Sequence, residues 1–302
     1  MRDELIRVLG RVVAEAYYDY QDIRISMMNR LRNIIRRKIE GIPLFGEPEE
    51  KKEEKTYDKK YADENLPILI HSVKDEMTAE EKEYITKILD LVKISNDMEN
   101  EYKKVMLEYI KDEPIWKEFL EHITGISVII TANLLSAFGY CERYNHVSAL
   151  WRHCGLHVED DGVAPKRRYG QKLDFNPKLR TLVWKIGDCL IKAKNPVYKA
   201  LYDDKKKREL QKEYPEGYLY SKYGEPYKPE DTKLTKLHAH NRAKRFMEKV
   251  FMENYFCACK ELTGQETPKT YAFDHLKHPD YIYWRNVVKS NIKYNEQKAL
   301  SK

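Results

Sequence analysis

The 302-residue chain contains no run of eighteen apolar residues, so nothing in it reads as a membrane-spanning helix. Its opening, MRDELIRVLG, lacks the apolar stretch of a secretion signal, and the expectation that follows is a cytoplasmic protein with no membrane partner. Cysteine is sparse and odd in number. Cys141, Cys154, Cys189, Cys257 and Cys259 form no disulfide framework and suit reduced, mostly buried thiols. Alternating apolar and polar positions are missing apart from a weak stretch at 155–175, which argues against a sheet. Glutamine is scarce while lysine, glutamate, isoleucine and tyrosine abound, the balance expected of a thermophile protein built on charge networks. What is present is 42% hydrophobic and 34% charged residues, a composition that folds and excludes wholesale disorder. A net charge of +6 permits nucleic-acid binding without requiring it, so the placement of the charge matters more than its sum.

Apolar positions recur at helical spacing over 3–39 (Leu5, Val8, Leu9, Val12, Val13, Ala16, Ile23, Met28, Leu31, Ile35) and predict one helix of about thirty-five residues, roughly 50 Å long. Its basic end, Arg30 to Lys38, suits the negative pole of the helix dipole as well as it suits DNA. Residues 41–67 are rich in proline and charge and predict a linker or surface loop. Thr78 and Glu81 have the spacing of a capping box, opening a helix with Ile85, Ile88, Leu89 and Val92 on one stripe, widened by Leu91, Ile94 and Met98. Asp112-Glu113-Pro114 ends that block, since proline cannot continue the ladder. The periodicity predicts a compact helical region over 115–205, an irregular insertion at 206–234, a strong helix over 232–262 and a short one over 279–295. The expected fold is all-α, with a helical part at 1–114 and a second helical domain at 115–302.

The most informative segment is 123–139, ITGISVIITANLLSAFG. A short helix from Ile115 to His122 meets a turn at Gly125, and a second helix starts at Ser127 and stops at Gly139. A helix-hairpin-helix of this kind turns the amides of Thr124, Gly125, Ile126 and Ser127 toward a phosphate and grips nucleic-acid backbone without reading bases. The hydroxyls of Thr124 and Ser127 would add donors. An ordinary helix pair packed in a core uses a glycine turn equally well, so the two readings stand side by side.

Residues 155–180, GLHVEDDGVAPKRRYGQKLDFNPKLR, hold a second candidate. Lys166, Arg167, Arg168, Tyr169 and Lys172 form a basic cluster beside an aromatic, and Lys178 and Arg180 open the next helix behind Asn176-Pro177. Such a cluster neutralises phosphates in a salt-sensitive way, although basic loops are as often simply solvated. Farther on, Arg242 and Arg245 share a helix face and offer a further phosphate edge.

The order ITGIS, TANLLSAFG, WRHCGL, GVAPKRRYG and NPKLRTLVWKIGDCLI resembles the C-terminal domain of DEDD-type insertion-sequence transposases, the bridge-RNA-guided serine recombinases. DYQDIRISMMNRLRNII is similar to the long helix before that domain, and LHAHNRAKRFMEKVFMENYF to its last helix. The resemblance implies a helix-hairpin-helix domain that holds DNA. It also implies an RNase-H-like domain with four metal-binding acids and a nucleophilic serine after the A-G-L-like helix end. Neither finds a place here. The residues ahead of the hairpin read as helices, and the stretch Glu159-Asp160-Asp161-Gly162-Val163 has no serine. The nearest hydroxyl, Ser148, lacks an activating base.

The zinc reading of His238, His240, Cys257 and Cys259 fails on distance, since the two pairs lie seventeen residues apart on one predicted helix, about 25 Å. Three consecutive acids at 159–161 read more simply as a solvated loop than as a nuclease centre. The expectation is thus a transposase-derived DNA-binding protein with little sequence preference, no cofactor or metal, and no assigned catalytic residue. RNA stays open as a ligand, and a homodimer through the long N-terminal helix is expected. The competing readings are a divergent recombinase or nuclease using Asp160, Asp161 or Ser148, and a partner-binding helical protein whose basic loop serves solubility.

Overall fold

A computed structural model of the chain describes residues 2–42, 59–159, 162–167, 169–170, 172–266 and 282–301. It contains eleven α-helices and no strand among the described residues, so the fold is all-α. None of those helices is long and apolar enough to cross a membrane. The chain divides into two compact units, 12–106 and 107–302, with residues 1–11 grouped with the second.

The 12–106 unit is built on two long helices, α1 (Arg2–Ile39) and α3 (Ala79–Ile110), with the short α2 (Leu66–Val73) beside them. They run antiparallel, because positions rising along α1 meet positions falling along α3. Tyr20 stacks on Tyr102 at 5.8 Å, Arg24 pairs with Glu99, and Lys38 reaches Glu81 at 2.9 Å. The core at one end joins Leu31 and Ile35 of α1, Leu66 and Val73 of α2, and Ile85 and Ile88 of α3. The capping box forms as its spacing predicts: the Thr78 amide donates to Glu81 at 2.9 Å and the Glu81 amide to the Thr78 hydroxyl at 3.2 Å. The Lys38 ammonium and the Thr78 amide hold the Glu81 carboxyl below its usual range. The stripe is only partly covered: Val92 packs on this core, whereas Leu91 and Ile94, which the periodicity assigns to a wide apolar face, are 43% and 55% exposed.

The 107–302 unit is organised around α10 (Lys236–Leu262), which packs against α4 (Pro114–Glu118), α6 (Val147–His153), α7 (Pro177–Lys192), α8 (Tyr198–Gln211) and α11 (Trp284–Leu300). Met247, Phe251, Tyr255 and Phe256 of α10 are wholly buried. Burial of such large side chains contributes about 2 kcal/mol each and makes α10 the spine of the unit. Pro114 sits in the first turn of α4, where its missing amide costs nothing. The stretch 206–234 is less irregular than its composition suggests. Ion pairs Lys205–Glu209 and Arg208–Asp204 carry α8 to Gln211, and α9 (Tyr218–Tyr223) sets Leu219 into a small core with Tyr227, Leu234 and Ala239. The last helix has the expected length but lies five residues later, at Trp284–Leu300 instead of 279–295. Trp284 anchors it, buried and donating its ring N–H to Glu261 at 3.0 Å.

Candidate nucleic-acid interface

Helix α5 (Val128–Phe138) follows a turn that takes the expected conformation: Gly125 has φ +100°, Ser127 caps the helix by accepting from the Ile130 amide at 3.4 Å, and Gly139 ends it. The turn packs inward more than its glycine alone suggests. A Cβ on Gly125 would stand 3.0 Å from the Cys189 carbonyl and from the Ala193 Cβ, both at the C-terminal end of α7. The Thr124 amide donates to Asn291 at 3.0 Å and its hydroxyl to Asn295 at 3.0 Å. Asn195 completes the net, donating to the Thr124 carbonyl and to Asn291, each at 2.9 Å. The Ile126 amide donates to the Ile123 carbonyl at 2.9 Å. Two of the amides assigned from the sequence to a phosphate therefore serve the fold. Ser127 is exposed and Val128 and Ile129 at the start of α5 are half-buried, and Lys192, Lys194 and Lys298 line a hollow of the same unit.

The basic turn is placed differently. Lys166, Arg167, Tyr169, Lys172 and Lys178 are exposed, Tyr169 completely, while Arg168 lies outside the described residues, as do Asp160 and Asp161. Asn176 caps α7 through the Lys178 and Leu179 amides, and Pro177 occupies its first turn. Arg180 then turns back beneath the loop, donating to the Pro165 carbonyl at 2.7 Å and lying over the Phe175 ring at 5.0 Å. Gly155, with φ +65°, lets the chain pass against that ring: a Cβ there would meet Phe175 at 2.8 Å. The hairpin's neighbour Cys189 and Arg180 are nine residues apart on α7, about 14 Å of helix.

Between this loop, α7, α8, α9 and α10 opens a cleft of about 660 Å³. Among the described residues, seven cations line it (Lys166, Arg180, Lys205, Arg242, Lys244, Arg245 and Lys249) against three carboxyls, Glu209, Glu225 and Glu248. Four of these cations are residues that the sequence singles out: Lys166, Arg180, Arg242 and Arg245. Arg242 binds Glu209 at 3.2 Å and the Tyr214 hydroxyl at 3.0 Å. Arg245 donates to the Gly155 and His157 carbonyls at 3.1 and 2.9 Å, fastening α10 to the loop. Burial, with Arg180 nearby, pushes its guanidinium down to about 10. Burial also lowers Arg180 and Lys249.

The cleft floor carries residues that nothing in the sequence pattern singles out. Lys244 and Glu248, four apart on α10, have the spacing of a solvent-facing ion pair, yet they are 2% and 3% exposed. Lys244 instead reaches Asp188 at 2.9 Å and lies 3.6 Å over the half-exposed ring of Trp184. Glu248 packs on Gly187, where a Cβ would come within 2.5 Å of its Oε1, and that oxygen has no hydrogen-bond partner among the described residues. Burial raises its carboxyl to about 8 despite Lys244, Arg245 and Arg180 alongside. The signal for this arrangement is Gly187 itself, a glycine inside a strong helical pattern, which marks close approach of a neighbour.

Residues 117–203 match the model of the transposase IS116/IS110/IS902 family. The match takes in the hairpin, the basic turn, α7 and the start of α8, under a third of the chain. No curated protein and no solved structure matches the chain. The transposase match thus covers the hairpin and the basic turn, and leaves α10, which supplies four of the cleft's seven cations, beyond it.

The zinc candidates separate as their spacing requires. α10 is unbroken from Lys236 to Leu262, His238 and His240 hydrogen-bond to Tyr227 and Tyr202 at 2.7 Å each, and Cys257 and Cys259 are buried at the other end. No group of three or more metal-ligating side chains gathers among the described residues.

Proposed function

We propose that this is a transposase-derived protein that holds DNA by its phosphates, with little preference for base sequence. The observation that carries the reading is the cleft, with seven cations to three carboxyls among the described residues, in which the basic turn, α7 and α10 converge. Phosphates neutralise cations wherever the strand presents them, so binding of this kind is tolerant of sequence and falls steeply with salt. The transposase match over 117–203 supports the choice of DNA over other polyanions. The hairpin adds the Ser127 hydroxyl and the first amides of α5 as a second, weaker backbone contact. Its finer likeness to the DEDD-type, bridge-RNA-guided recombinases belongs to this proposal too, as does a homodimer through α1.

Holding and cutting are separable activities. The proposal assigns no catalytic residue. The transposase match favours one rival, a divergent recombinase or nuclease, whose signature is metal-dependent cleavage lost in Asp161→Ala.

Filter binding of duplex DNA across a salt series tests the main reading. The expected result is measurable affinity at about 50 mM salt that falls with a log–log slope of several units. Affinity without a salt slope, or none at that concentration, overturns it. Sedimentation of the free protein checks the dimer.

A further inference from the structure

Among the described residues, the floor of the cleft holds more positive charge than its carboxylates compensate. Arg180 and Arg245 are bound to backbone carbonyls of the 155–165 loop and, among the described residues, to no carboxylate. Lys249 lies over the Trp151 ring at 5.2 Å. The carboxyl set among them, Glu248, keeps its proton to about pH 8 because it is buried, so it does not neutralise them at neutral pH. A guanidinium carries five N–H donors, and the carbonyl bonds use one on Arg180 and two on Arg245. Donors and charge are left over at the same place. The same cleft wall carries Trp184, 52% exposed, with Lys244 seated on one ring face and pinned there by Asp188. The cleft's volume, about 660 Å³, exceeds that of a mononucleotide.

We propose that the cleft seats one phosphorylated nucleotide, its phosphate against Arg180, Arg245 and Lys249 and its base on Trp184. The phosphate supplies the negative charge that the floor lacks. An aromatic face half open to solvent accepts any base, because every base presents a π-face. The neutral Glu248 carboxyl offers one donor and one acceptor, and its ionisation would set a like charge beside the phosphate. The seat is thereby linked to a proton: a ligand phosphate favours protonated Glu248, and alkaline pH weakens binding. The choice of a nucleotide over other phosphate compounds rests on the DNA-holding reading. In that context the seat takes an unstacked nucleotide at a strand end or gap, not one inside a duplex.

Calorimetric titration of the full chain with deoxyadenosine monophosphate, deoxycytidine monophosphate and inorganic phosphate tests this. Both nucleotides should bind about tenfold or more tightly than phosphate, as stacking requires. Trp184→Ala should bring them down to the phosphate level, and Trp184→Phe should restore most of the difference. Between pH 7 and pH 9 nucleotide affinity should fall by up to about tenfold in the native chain and stay level in Glu248→Gln. Absence of nucleotide binding at millimolar concentration overturns the proposal. So does phosphate binding as tightly as the nucleotides with no effect of Trp184→Ala. The outcomes also separate the two readings. Duplex binding with a salt slope, but no nucleotide binding, removes the seat and keeps DNA holding. Nucleotide binding without any DNA affinity removes DNA holding and with it the polymer context of the seat.

Discussion

At the C-terminal end of α7, Thr124 gives its amide, hydroxyl and carbonyl to three asparagines, Asn291, Asn295 and Asn195. At the N-terminal end of the same helix, Lys166, Arg167 and Tyr169 face solvent, and Arg180 and Arg245 lie beneath them, hydrogen-bonded to carbonyls. The two ends solve different problems. A turn made of neutral donors and acceptors can be satisfied completely by side-chain amides, and such a turn becomes a clamp in the core. Clustered cations cannot be satisfied by carbonyls alone, because charge persists after every hydrogen bond is made. The first arrangement favours rigidity and the second favours a charged ligand.

The largest expected effect lies where charge is buried. Glu248 has a folded-state value near 8, raised by burial, against an ordinary carboxyl value near 4.5. Between those values the folded protein keeps a proton that the unfolded chain releases, so stability is full below about pH 4.5 and declines as pH rises toward 8. Lys244 and Arg245 on α10, and Arg180 and Asp188 on α7, are the charged groups that face it. The decline amounts to about 3–5 kcal/mol. Glu248→Gln should remove that part of it, and the difference between the two denaturation curves, measured from about pH 5 to about pH 9, isolates this one group. A parallel pair of curves would show that the carboxyl titrates normally and that water reaches the cleft floor.

The next effect belongs to the clamp. Gly125→Ala forces a side chain onto φ +100° and against the Cys189 carbonyl at 3.0 Å, at a cost of about 2–4 kcal/mol. Asn291→Ala strips the acceptor from both the Thr124 amide and Asn195, leaving buried donors unpaired at about 2–3 kcal/mol. Thermal unfolding reads both. If either variant melts within a degree of the native protein while DNA affinity collapses, the turn is a phosphate grip and not a clamp.

These contrasts explain how much of the molecule is legible in the chain alone. Helix existence and caps are legible because they are local: Thr78 with Glu81, Gly125 before Ser127, and Asn176 before Pro177 each act within four residues. The basic turn is legible because consecutive cations need no partner to be recognised. The fate of the hairpin is not, since Asn291 lies 167 residues from Thr124 and nothing local marks it. Nor is the cleft, whose wall on α10 looks from its spacing like a solvent-facing Lys244–Glu248 pair. Only the close approach that Gly187 permits converts that pair into a buried one.

The smallest stability effect should accompany the clearest effect on binding. Lys166, Arg167 and Lys172 are exposed, and their replacement by alanine together should leave stability within about 0.5 kcal/mol of the native value. The same triple variant removes three cations from the basic end. Each phosphate left without its cation lowers the salt slope on duplex DNA by about 0.9, so the slope should fall by as much as about 2.7 units, with weaker affinity at every sequence tested. Unequal losses among sequences would mean that the turn reads bases. An unchanged slope would move the DNA to the other end of α7, where Lys192 and Lys194 share a hollow with Lys298, and alanine at those three positions would then be the change that flattens it.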